Sequence, residues 1–189
     1  PGAGLYEITN RIGGGTFGVK WTGGPVDLKQ NPVLRLALRT GGRARVNIHL
    51  QVSGKSYLLP VNAPEENTAV LLTPAFADRP GDRVAFRFAT GKMISDSSVL
   101  PRVAVHEGML EVNLLAALAA VNPALGETPQ LQSLVVGNTS NHNYLLAGFE
   151  GNGEGAAYVI GTPSWKSAKS EYTARKGIRT GPSVGPADN

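Results

Sequence analysis

Apolar and polar side chains alternate with period two from residue 33 to residue 52, broken once by glycines, and this pattern leaves few options for the fold. Successive side chains of an extended strand point to opposite faces. In residues 33–39 this places Leu34, Leu36 and Leu38 on one face and Arg35, Ala37 and Arg39 on the other. In residues 45–52 Val46, Ile48, Leu50 and Val52 face one way, and Arg45, Asn47, His49 and Gln51 the other. Both segments read as half-buried strands. A two-residue turn at Gly41 and Gly42 would set Leu38 against Arg45, mixing core with solvent. A three-residue loop of Gly41, Gly42 and Arg43 is expected instead, pairing Leu38 with Val46, Leu36 with Ile48 and Leu34 with Leu50, and on the other face Arg39 with Arg45 and Arg35 with His49. The same reasoning at residues 53–55 opposes Leu50 to Leu58 and Gln51 to Tyr57. The expected unit is a three-stranded antiparallel meander, oily on one face and polar on the other.

The rest of the chain fits an all-β fold with one short helix, an antiparallel β-sandwich. Twenty-four glycines and thirteen prolines favour short strands joined by many turns, and 41% hydrophobic content in 189 residues is enough for one sizeable core. Further strands are expected over residues 5–12, 16–21, 68–73, 84–88, 131–137, 143–149 and 156–160. The first two would form a hairpin through Gly13, Gly14 and Gly15. That glycine run leads into a strand and not a helix, so it is not a dinucleotide fingerprint. Residues 91–98 read as a polar surface loop. Residues 109–121 hold the one helix, with Asn113 as N-cap and Pro123 just beyond its end. From residue 166 apolar periodicity fades, so residues 1–165 are expected to be the folded domain and 166–189 a flexible tail or linker.

Absent chemistry narrows the function classes. With no cysteine there is no disulfide, thiol catalysis or Cys-based zinc site, and His49, His106 and His142 lack metal-ligand spacing. The net charge of +4 suits an anionic partner without requiring nucleic acid, and no run of eighteen apolar residues is present to insert in a membrane. The first residues have no charged start followed by an apolar stretch, so any secretory leader is expected to have been removed or to lie outside this sequence.

Several segments together resemble the β-jelly-roll, galactose-binding-domain-like modules that include many bacterial carbohydrate-binding modules. They are Tyr6 to Asn10, Asp27 and Leu28 with residues 32–36, residues 46–50, residues 110–115, and the closing residues 144–149 and 157–160. The resemblance covers about residues 4–165. It implies a jelly roll, a non-catalytic polysaccharide-binding role, a secreted or extracellular location, and a monomeric module within a larger chain. It also implies that a structural calcium would be held by a glutamate near the start and an acidic residue on the last strand. Glu7 suits the first position, but Ile160 is followed by Gly161, Thr162 and Pro163, so no cofactor is expected.

Two readings of the polar face stand side by side. It can be a solvated sheet surface. It can also be a ligand platform, with Arg35, Arg39 and Arg45 presenting planar forks to carboxylate or sulfate, Asn47, His49 and Gln51 reaching sugar hydroxyls, and Tyr57 lying under a pyranose ring. Trp21, and the loop carrying His142 and Tyr144, form a second candidate rim, while Trp21 and Trp165 suit packing as well as stacking. The expected ligand is an anionic polysaccharide, sulfated or uronic. A jelly-roll glycan hydrolase or lyase is the alternative, though the carboxylates are sparse and lie mostly in turns. A protein-binding adhesion module is the third.

Overall fold

The computed structural model describes residues 4–9, 17–40, 46–62, 80–87, 93–138 and 157–167. Thirteen strands and one helix lie within them: β1 (Tyr6–Thr9), β2 (Phe17–Trp21), β3 (Val26–Asp27), β4 (Val33–Thr40), β5 (Asn47–Val52), β6 (Lys55–Asn62), β7 (Arg83–Arg87), β8 (Met93–Val99), β9 (Val103–His106), β10 (Met109–Asn113), α1 (Leu114–Val121), β11 (Gln130–Asn138), β12 (Ala157–Ile160) and β13 (Ser164–Lys166). The fold is all-β with one short helix, as the glycine and proline content and the alternation imply. The strands form one mixed sheet in the order β1-β12-β4-β10-β9-β6-β5-β11-β2, whose end strands β1 and β2 approach each other. Two pairings are parallel, β6 with β8 and β6 with β9, so the sheet is not the purely antiparallel one expected.

Leu34, Leu36, Leu38, Val46, Ile48 and Leu50 are all buried in one core, in agreement with the alternation. The expected pairing between them is not formed. β4 pairs with β10 on one side and with β12 and β13 on the other, whereas β5 lies between β6 and β11. Alternation decides which face of a strand is apolar but does not name its neighbour; both strands reach the same core from separate parts of the sheet. The Gly41 to Arg43 loop lies outside the described residues. The hairpin expected between the first two strands is likewise replaced, since β1 pairs with β12 and β2 with β11.

The turn between β5 and β6 differs from expectation by one residue, with large consequences. Ser53 has φ 47° and Gly54 φ 78°, a two-residue turn with both residues left-handed, the geometry that matches the twist of a hairpin. A serine in that conformation is uncommon. Here β11 holds it: Ser53 N–H donates to Gln130 O (2.9 Å), Ser53 Oγ accepts from Gln130 N–H (3.1 Å), and Gly54 N–H donates to Gln132 Oε1 (2.8 Å). Leu50 therefore opposes Tyr57, His49 opposes Leu58 and Gln51 opposes Ser56. Tyr57 turns from the expected polar face to the core.

The helix forms as the sequence implies. Asn113 Oδ1 accepts from Ala116 N–H at 3.0 Å, satisfying a first-turn donor, and α1 stops at the Asn122 cap before Pro123. Leu114 and Leu118 enter the core. Most of the loop expected over residues 91–98 is strand β8; its serines disguise it, and Ser97 is fully buried. β13 extends the folded part through Lys166, just past the expected boundary at residue 165. The strands expected at 68–73 and 143–149, and the tail from residue 168, lie outside the described residues.

Tyr158 ties strands that are remote in the sheet. From β12 its buried hydroxyl donates to Val136 O on β11 at 2.8 Å, and burial raises its pKa well above the ordinary phenol value. Tyr158→Phe keeps the ring but leaves a buried carbonyl short of a donor, so the expected loss is about 1–3 kcal/mol. Urea midpoints of the two proteins measure it; equal midpoints would mean that the hydroxyl contributes nothing.

Candidate functional site

The structure separates the residues expected to form one polar platform. Arg35 and Arg39 remain on the outer face of β4. Arg35 lies opposite Glu111 on β10, with Nε 2.9 Å from Glu111 Oε2, while Lys166 Nζ reaches Glu111 Oε1 at 2.7 Å. The Lys166 hydrogen bond, with the charges of Lys166 and Arg35, holds the Glu111 carboxyl below its usual pKa against the opposing effect of burial. Arg35 is thus paired with the carboxylate of a strand neighbour. Arg39 is exposed, opposes Val159, and lies over the turn at Gly108, where an added Cβ would stand 2.6 Å from Arg39 Nε. Arg45, His142 and Tyr144 are outside the described residues.

The polar residues of β5 are mostly enclosed. Ile48, Leu50 and Val52 face the core, yet Asn47 and His49 on the opposite face are only 1% and 4% exposed, so this strand is covered on both sides. An imidazolium is poorly solvated in such a place, and burial pulls the His49 pKa down to about 3. His49 is therefore neutral at pH 7 and does not stand on an open binding face. Asn47 Oδ1 is buried with no hydrogen-bond partner among the described residues. Gln51 alone of this set is exposed, between Ser56 and Ser133 on the flanking strands.

Trp21 and Trp165 meet each other. Their ring centroids are 5.9 Å apart at 55°, and both pack against the core. This tilted arrangement is one that aromatic pairs favour. A Cβ on Gly23 would come within 2.0 Å of the Trp21 ring, so the glycine leaves room for the indole to lie over the backbone. The packing role considered for these two residues is the one the geometry supports.

A different site emerges from sheet register. One cross-strand row runs from Trp21 through Leu134, Leu50 and Tyr57 to Ser98 and Arg83, crossing β2, β11, β5, β6, β8 and β7. The row is apolar over the core and becomes polar beyond it, and Tyr57 spans the change: its ring is in the core cluster, while its hydroxyl accepts from Asn122 Nδ2 at 2.9 Å. At this polar end a cleft of about 360 Å³ opens, lined by Gly54, Lys55, Ser56, Tyr57, Arg83, Ser98, Val121 and Asn122. Arg83 Nη1 donates to Ser98 Oγ at 3.1 Å, which steadies the guanidinium at the rim. No carboxylate is among the described lining residues.

The cleft combines two features. Lys55 and Arg83 bring positive charge to one wall, and the tight turn at Ser53 and Gly54 fixes where Lys55 begins. Tyr57 and Asn122 supply polar groups whose positions are set from behind, by the core under the ring and by the helix cap under the amide, where Asn122 N–H donates to Leu118 O at 2.9 Å. Tyr57 was expected to stack on a sugar ring; the residue is only 2% exposed, so its ring cannot lie under one. Sequence reasoning missed Lys55, Arg83, Ser98 and Asn122 because no local spacing links them. The parallel pairing of β6 with β8 brings in Ser98, the antiparallel pairing of β7 with β8 brings in Arg83, and the hydrogen bond to Tyr57 brings in Asn122 at the end of α1.

Among the described residues, no group of three or more His, Cys, Asp or Glu is placed to hold a metal ion, and Glu7 is exposed on β1 opposite Val159. No helix among them is long and apolar enough to cross a membrane. Comparison with protein-family models, with curated proteins and with solved structures finds no match to this chain.

Proposed function

We propose that the chain is a non-catalytic module that binds an anionic polysaccharide, through the cleft between the β5–β6 turn, β7 and β8, and the end of α1. The observation that carries this reading is the convergence of Lys55 and Arg83 with hydroxyl and amide groups in one cleft. A cationic rim attracts an anionic chain from a distance and contributes modestly at contact, and fixed polar groups below it give orientation. No bond-breaking step is assigned to the site. Its place in a larger secreted protein rests only on the resemblance of the strand segments to carbohydrate-binding modules.

Calorimetric titration with polygalacturonate at low and at physiological salt tests the reading. Lys55→Ala and Arg83→Ala are each expected to weaken binding up to about fivefold, as loss of an exposed charge contact does, and to flatten the salt dependence. Arg39→Ala should leave binding unchanged, because Arg39 stands on the outer face of β4. The opposite ranking would move the site to the β4 face, and binding of proteins but of no glycan would favour an adhesion role.

A further inference from the structure

We infer that the outer face of β1, β12 and β4 is the contact surface for a second copy of this chain, packed face to face about a two-fold axis that runs along β12. Two neighbouring cross-strand rows carry the argument. In the first, Glu7 on β1 aligns with Val159 on β12 and Arg39 on β4. In the second, one step along the same face, Leu5 lies beside Gly161, Gly161 N–H donates to Ala37 O at 2.9 Å, and Ala37 opposes Met109 on β10. Glu7 and Arg39 are both exposed, and the apolar row leaves Leu5 64% and Met109 37% exposed. Large apolar side chains left open and rimmed by charges mark a surface that a partner can cover.

The charges say which partner fits. Glu7 and Arg39 stand one strand to either side of Val159, about 10 Å apart across two strand spacings. Neither has an ion-pair partner among the described residues, Glu107 in the turn beside Arg39 included, whereas Arg35 and Lys166 on the same face are both held by Glu111. A two-fold axis along β12 exchanges the two ends of the row. Glu7 of each copy then faces Arg39 of the other, so one contact is made twice. The same rotation sets Leu5 of each copy over Ala37 of the other, which covers the apolar row. A face made for a purely anionic or purely cationic partner would leave one sign unpaired; this one carries both, at positions that the rotation interchanges.

The cleft on β6 and β8 lies elsewhere in the sheet order, so self-association is read independently of polysaccharide binding. Sedimentation equilibrium of the full chain, from micromolar to millimolar concentration, tests the inference. The wild type is expected to pass from monomer to dimer over this range. Arg39→Glu and Glu7→Arg each set like charges against one another across the interface, and each should weaken the dimer by at least about tenfold. Combining the two in one chain reverses both contacts, so the double variant should recover most of the lost association. Lys29→Glu makes the same change of net charge as Arg39→Glu at another exposed site, and should leave the dimer unchanged. Rescue by the double variant separates a paired contact from a folding defect. A wild type that stays monomeric throughout, a double variant no better than the single ones, or an equal loss in Lys29→Glu overturns the inference.

Discussion

Acidification below pH 6.5 is expected to destabilise the folded chain by about 1.4 kcal/mol per pH unit through His49 alone. The sign follows from where the proton can go. In the unfolded chain His49 titrates near its ordinary value of 6.5, while in the fold burial holds its pKa at about 3. Above pH 6.5 both states are neutral and the residue has no effect on the balance. Between pH 6.5 and 3 only the unfolded state gains the proton, so stability drains away with each unit, and below pH 3 the slope ends. Urea midpoints at pH 7, 6, 5 and 4.5 measure this directly, in a range where most carboxylates are still ionised. His49→Leu, which cannot titrate, should flatten the profile between pH 6 and 4.5 whatever its effect at neutral pH. An unchanged slope in that variant would place the acid sensitivity elsewhere.

Ile48→Ala should cost about 2 to 5 kcal/mol, the range for removing a buried branched side chain and leaving a cavity. Ile48 is fully buried, and its strand is held on both sides, opposite Leu59 on β6 and Val136 on β11. With neighbours fixed by two ladders, the site can collapse little around the missing atoms. For a chain of this length each kcal/mol lowers the melting temperature by about 2 to 4 °C, so a fall of roughly 4 to 20 °C is expected. Gln51→Ala, on the exposed end of the same strand, should change it by no more than about 1 °C. A small loss at Ile48 would mean that the core beneath β5 is looser than the structure shows.

What was legible in the sequence was facing, and what was hidden was adjacency. The leucines of β4 and the aliphatic residues of β5 could be assigned to a core because a period of two has only one apolar side. Which strand lay beside which could not be read, since β4 finds its partners more than seventy residues further along the chain, in β10, β12 and β13. Locally encoded features fared better: the Asn113 cap and the end of α1 before Pro123 each depend on a few consecutive residues. The Ser53 turn escaped because its left-handed serine is stabilised by β11, which no local rule contains. Tyr57 entered the candidate site from sequence for its ring, which the structure buries in the core. Asn47 and His49 seemed available because their strand alternates; nothing in a single strand shows that its polar face is covered too.

The pairing of β1 and β4 with β12 and β13 sets a condition on how the chain can be made. On a ribosome, residues 6–9 and 33–40 emerge long before residues 157–166, and until then one edge of β4 has no ladder partner. Loop closure over such separations is slow, and an unpaired strand edge can recruit another chain. Strands β12 and β13 are therefore the ones that seal β1 and β4, and a product ending before residue 157 would present an open edge on β4 to its neighbours.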